Sequence, residues 1–124
     1  MQKKVIIVED DSFLQGLAVS KLQKEGYEVS SASNSDELFK ILETVKPDIF
    51  LMDLVFPGLG GFGSIKKIKE NLVLSQIPMI IFSNLAEDKD FAQAEALGVP
   101  ANNFMVKSNF TLEELVERIK TLVK

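Results

Sequence analysis

Four short apolar runs in this chain end on side chains that can do chemistry. "KVIIV" (4–8) is followed by Glu9, Asp10 and Asp11, and the run Ile49 to Met52 by Asp53. "IPMIIF" (77–82) leads into Ser83 and Asn84, and "NFMV" (103–106) into Lys107 and Ser108. Carboxylates crowded together repel, and one takes up a proton unless a cation is present. The chain has no histidine and no cysteine, which removes the usual neutral-pH base, disulfides and thiolate metal sites. Oxygen-only ligands favour a hard ion, and a partly hydrated Mg²⁺ held by few carboxylates normally serves phosphate chemistry. Lys107, Ser83 and the Asn84 amide are then candidates to hold phosphate oxygens. Asp53 is left as the candidate nucleophile, since a carboxylate can form an acyl phosphate.

These groups act together only if the elements before them end on one rim. "KVIIV" is apolar on both faces, as a strand buried in a parallel sheet would be. From Ser12, Phe13, Leu14, Leu17, Ala18 and Leu22 fall at helical spacing, with Gly26 as the stop. "YEVSSA" (27–32) alternates like an edge strand. Asn34 with Glu37 resembles a capping box for a helix running through Leu38, Ile41, Leu42 and Val45 to Pro47. After the third strand, a loop with Pro57, Gly58, Gly60 and Gly61 precedes a helix through Ile65, Ile68 and Leu72. Lysines 66, 67 and 69 read as its wet side.

The fourth strand is followed by a helix over 88–98 closed by Gly98, and the fifth by a helix with Thr111 and Glu114 as its capping box. Leu112, Leu115, Val116, Ile119, Leu122 and Val123 form the buried side of that last helix. Strands alternating with helices predict an α/β domain, a doubly wound parallel sheet with right-handed crossovers and helices on both faces. In such sheets the functional crevice lies beyond the carboxyl ends of the strands, where the strand order reverses.

A chain of 124 residues suits one domain, and residues 1–124 read as a single unit. Eighteen acidic against 14 basic residues give a net charge of -4, so the totals do not suggest a nucleic-acid surface. The apolar run after Lys3 and Lys4 is too short for a signal peptide or a membrane span. The expectation is a soluble, cytoplasmic chain with no direct nucleic-acid or membrane partner.

Over its whole length the sequence resembles the receiver domain of two-component response regulators. The motifs that carry the likeness are "VIIVEDD" (5–11), "DIFLMDLVFPGLGGF" (48–62), "PMIIFSN" (78–84) and "FMVKS" (104–108). The resemblance implies the strand order 2-1-3-4-5 and phosphotransfer to Asp53 from a histidine kinase or phosphotransfer protein. It implies Mg²⁺ held by Asp10, Asp53 and the carbonyl of Val55, with Glu9 close by or acting through water. Asp11 extends the cluster as the weaker ligand. Ser83 and the Asn84 amide would bind the phosphoryl oxygens, Lys107 would pair with them, and Phe104 stands at the position of an aromatic switch. A changed face of the fourth helix, fifth strand and fifth helix would then alter binding to a downstream protein, or to a second copy in a homodimer.

Three positions depart from the family's pattern. Gly60 replaces an acidic residue, Asn84 a small one, and Ser108 the proline that usually follows the lysine, where a cis bond without proline would cost about 3 kcal/mol. Val55 and Leu85 are apolar at two positions that flank the path of attacking water, which predicts a long-lived phosphoryl group. Other classes fit less well. An aspartyl phosphatase would want an acid where Val55 stands, and a flavodoxin-like binder would want a phosphate loop where Glu9, Asp10 and Asp11 repel phosphate. The alternative that stays open is a receiver-like interaction module that is not phosphorylated.

Overall fold

The apolar runs become the strands of one parallel sheet in the computed structural model, which describes residues 2–123. The terminal residues of the expected 1–124 unit, Met1 and Lys124, lie outside the described residues. The strands are β1 (Lys4–Val8), β2 (Glu28–Ala32), β3 (Ile49–Met52), β4 (Met79–Ser83) and β5 (Phe104–Val106), and the helices are α1 (Ser12–Lys24), α2 (Ser35–Ile41), α3 (Gly60–Lys69), α4 (Asp88–Ala96) and α5 (Leu112–Leu122). The sheet order is β2-β1-β3-β4-β5, parallel throughout. This is the expected topology, with the order reversing between β1 and β3.

Successive strand side chains point to opposite faces, so each central strand feeds two cores. Val5, Ile7, Ile49, Leu51 and Ile80 pack under α1 and α5 with Ala18, Leu22, Leu115, Val116 and Ile119. Ile6, Val8, Phe50, Met52 and Ile81 pack on the other face with Leu38, Ile65, Ile68 and Ala94. The register aligns Val8 with Met52 and Ser83 with Val106. The residues after these strands therefore meet at one edge of the sheet.

Several expected boundaries move for local reasons. α3 stops at Lys69, short of Leu72, because the Asn71 carboxamide accepts the Val73 and Leu74 N–H groups and turns the chain; Leu72 is left 89% exposed. α2 ends at Ile41, with i+3 bonds from Glu43 and Thr44 tightening its end, and Leu42 and Val45 reach the core from the turn that follows. β5 begins at Phe104, because Asn103 sits in a 3₁₀ turn with its side-chain oxygen engaged by Arg118. β4 begins after Pro78 and takes in Ser83. Leu112, Leu122 and Val123 of the last helical segment are only partly buried.

The capping residues act as read, with one change of partner. Thr111 and Glu114 form the reciprocal box of α5. Asn34 caps the Glu37 N–H at 2.8 Å, but Glu37 reaches back to the Ser33 N–H and not to its own cap residue. On α1, Phe13 is 71% exposed, and Leu14 and Leu17 are exposed too, so only Ala18 and Leu22 of the apolar residues at helical spacing are buried.

Candidate functional site

Asp53 leaves β3 only 8% exposed, although its carboxylate stands at the end of the sheet. Its backbone N–H donates to the Val8 carbonyl, continuing the β1–β3 ladder by one step, and this fixes it beside Glu9. One carboxylate oxygen accepts the Leu54 N–H at 2.6 Å and the other accepts Lys107 Nζ at 2.8 Å. α3 begins directly behind the site: a Cβ on Gly61 would lie 2.5 Å from Leu54 Cα and 2.6 Å from the Asp53 carbonyl oxygen. Only glycine permits that approach. Gly60, where the sequence lacks the expected acid, opens α3 with φ +71°.

Glu9, Asp10 and Asp53 each offer a carboxylate oxygen, and these oxygens lie within 4.8 Å of one another. Glu9 is buried and Asp10 is exposed. Asp11 is turned away to cap α1, accepting the Leu14 N–H at 3.0 Å. Lys107 Nζ bridges the two buried acids, at 2.8 Å from Glu9 and 2.8 Å from Asp53.

The titration of the cluster follows from this crowding. Burial pushes the Glu9 carboxyl up to about 7, the hydrogen bond to Asp53 adds to the rise, and Lys107 opposes it. Burial also works against an ionised Asp53, but Glu9, Lys107 and the Ser83 hydroxyl outweigh it and hold that carboxyl below its usual value. Burial would lower the Lys107 ammonium, yet Asp53 and Glu9 raise it. At neutral pH Glu9 is therefore poised between its two charge states beside an ionised Asp53. An all-oxygen donor set crowded enough to retain a proton fits a hard divalent cation, which would relieve the repulsion.

Ser83 is buried, and its hydroxyl oxygen accepts the Leu85 N–H at 3.1 Å. Asn84 is exposed, and its side-chain oxygen accepts the Ser108 N–H at 3.0 Å. No peptide is cis among the described residues. Val55 and Leu85 are both exposed. Phe104 is buried, its ring 4.4 Å from that of Phe91 on α4, at 45°.

Two features were not read from the sequence. Gln15 on α1 donates to the Glu9 carbonyl at 2.8 Å and the Ala32 carbonyl at 3.1 Å, which pins the backbone that presents Glu9. Its spacing from Asp11 alone gives no signal of this. A cavity of about 290 Å³ is lined by Leu14, Leu17 and Phe110 together with Glu9, Asp53 and Lys107. Leu14 and Leu17 of α1 thus border the carboxylates. A helical pattern with more apolar positions than α5 leaves room to cover was the available clue.

A family model described as "Response regulator receiver domain" matches residues 5–120. Among curated proteins, the chain is 30% identical over 124 residues to the alkaline phosphatase synthesis transcriptional regulatory protein PhoP of Bacillus subtilis, covering 100% of this chain and 50% of that protein. It is 33% identical over 122 residues to the transcriptional regulatory protein KdpE of Staphylococcus aureus, covering 98% of this chain and 50% of that one. The chain thus spans about half the length of these relatives. Among solved structures, the Vibrio cholerae chemotaxis response regulator CheY4 superposes with a TM-score of 0.88 at 21% identity, covering 99% of this chain and 100% of that one. The BeF3-activated N-terminal receiver domain of Klebsiella pneumoniae RstA gives 0.85 at 22% identity, covering 96% and 97%. At such identities these two likenesses bear on the fold.

Proposed function

Because the chain belongs to the response regulator receiver domain family, a phosphorelay signalling module and not a classical enzyme, we propose that Asp53 is its phosphoacceptor and residues 1–124 its receiver unit. Receiver domains work in two-component signalling by phosphorylation of an aspartate, with a histidine kinase or phosphotransfer protein as partner. The observation that carries the assignment is Asp53 itself: buried, held ionised, within 4.8 Å of the Glu9 and Asp10 oxygens and bonded to Lys107.

In the reaction, an Asp53 oxygen attacks phosphorus, a P–O bond forms, and the P–N bond of the donor phosphohistidine breaks with its electron pair leaving on nitrogen. The Leu54 N–H keeps one carboxylate oxygen oriented. Lys107 must leave the other oxygen and follow the phosphoryl oxygens, which the Ser83 hydroxyl and the Asn84 backbone N–H also contact. Glu9, Asp10 and Asp53, with the Val55 carbonyl, are the residues that would hold Mg²⁺. When bound, the ion would offset charge on the transferring group. Asp10, the exposed acid, faces solvent and suits partly hydrated binding.

The exposed apolar residues Leu14 and Leu17 beside the cavity, with exposed Phe13 on the same helix, suit contact with the donor protein. Downstream, the phosphoryl group would draw Ser83 inward and act through Phe104 and its Phe91 contact on the α4, β5 and α5 face, shifting a population that binds the next protein or a second copy. The testing experiment is incubation with Mg²⁺ and acetyl phosphate, read by intact mass. A phosphate-sized gain on wild type and none on Asp53→Asn is expected. No gain on wild type would favour an interaction module that does not use Asp53.

A further inference from the structure

The β4–β5 ladder ends at the pair Ser83 and Val106. One residue further on each strand stand Asn84 and Lys107, and there a side chain takes over from the backbone: the Asn84 carboxamide oxygen accepts the Ser108 N–H at 3.0 Å. Two residue types are needed for this bond. A small residue at 84 has no acceptor of that reach, and a proline at 108 has no N–H to give. Two of the three departures read from the sequence are therefore the two halves of one contact.

Its position makes it more than a loop tie. Asn84 directly follows Ser83, and Ser108 directly follows Lys107, so the bond joins the two strand ends that carry polar groups to Asp53. The backbone of Lys107–Asn109 forms a single 3₁₀ turn, with none of its residues buried and no side-chain cap. Among the described residues no other side chain bonds that backbone. Lys107 nevertheless places Nζ at 2.8 Å from two separate carboxylates. The flexible four-carbon stem does not itself fix that position, so the backbone from which it springs bears on where Nζ stands.

Resting on the assignment of Asp53 as phosphoacceptor, we infer that Asn84 is a positioning residue that acts through Lys107, its bond to Ser108 setting where the ammonium stands when Asp53 takes the phosphoryl group. The opposite effect is also specific: an asparagine at the rim obstructs the donor, so its removal would speed the reaction. The two differ in sign.

The experiment uses the full chain as wild type, Asn84→Ala and Ser108→Ala, the last keeping the backbone N–H. Two NMR readouts do not depend on phosphorylation. The Ser108 amide is expected to be protected from exchange in wild type and Ser108→Ala and to exchange at least about tenfold faster in Asn84→Ala. The Lys107 ammonium resonance is expected in the first two and broadened away in the third. With saturating Mg²⁺ and varied acetyl phosphate, Asn84→Ala should lower the maximal rate several-fold without raising the half-saturating donor concentration. In a Lys107→Ala background it should add no further loss, since the two then act as one unit. Unchanged Ser108 exchange in Asn84→Ala, an equal loss in the Lys107→Ala background, or faster phosphorylation would each overturn the positioning role. Failure of wild type to gain phosphate would instead overturn the reading of Asp53, and the two NMR readouts would still decide whether Asn84 fixes Lys107.

Discussion

Replacing Glu9 by Gln should stabilise the protein at alkaline pH and leave it nearly unchanged at acid pH. Glu9 moves from 4.5 to about 7 on folding, so between those values the native state holds a proton that the unfolded chain has lost. Unfolding free energy then falls as pH rises, and the loss is complete above pH 7. The shift corresponds to at most about 3 kcal/mol. Asp53 moves the other way, so its contribution is fully present above its ordinary value of 3.8 and is lost only below it; that of Lys107, raised from 10.5, is lost only above that value, so neither changes in the same window. A glutamine keeps the shape and can donate to Asp53 as protonated Glu9 does, without titrating. Urea unfolding at pH 4.5 and pH 8 in EDTA should show the two proteins close at the lower pH. At the higher, Glu9→Gln should lead by about 2–3 kcal/mol, roughly 10 °C in Tm. Millimolar Mg²⁺ should raise wild type more than the variant at pH 8, because a divalent cation on the three-carboxylate cluster would stabilise the native state. A gap of the same size at both pH values, or a less stable variant at pH 8, would refute the crowding argument.

Gly61→Ala should cost about 2 kcal/mol or more in urea unfolding, since the added methyl meets the Leu54 and Asp53 backbone; a loss below about 0.5 kcal/mol would show that α3 can move away. Phe13→Ser and Leu17→Ser should slow phosphotransfer from a phosphorylated kinase by about tenfold or more, as expected for apolar contact residues, while leaving the rate with acetyl phosphate unchanged. Equal slowing with both donors would remove α1 from donor contact. Phosphate on Asp53 should persist well beyond seconds in wild type and be lost faster in Val55→Glu, whose side chain can orient water; loss within seconds from wild type would sink this expectation.

The cluster was legible because strands buried on both faces announce themselves as unbroken apolar runs, and each polar residue that ends one falls on the same edge of the sheet. Asp53, Glu9, Asp10 and Lys107 could thus be placed together from their positions alone. Three other features escaped for physical reasons. Helical periodicity marks an apolar stripe on α1 but not how far α5 covers it, so the spacing alone does not tell that Phe13, Leu14 and Leu17 stand outside. Helix ends are decided by single side-chain bonds, such as the Asn71 carboxamide turning the chain after α3. The Gln15 to Ala32 and Asn84 to Ser108 contacts join residues distant in sequence, and no local pattern records such pairs.

Asp53 is tested most directly by locating the phosphoryl group. After reaction with acetyl phosphate and Mg²⁺, borohydride reduction converts an acyl phosphate on aspartate into homoserine, which peptide sequencing assigns to a residue. Homoserine at position 53, absent without donor and absent in Asp53→Asn, is the predicted result. Homoserine at Asp10 or another acid, or an unmodified position 53 in protein that has gained phosphate, would contradict it.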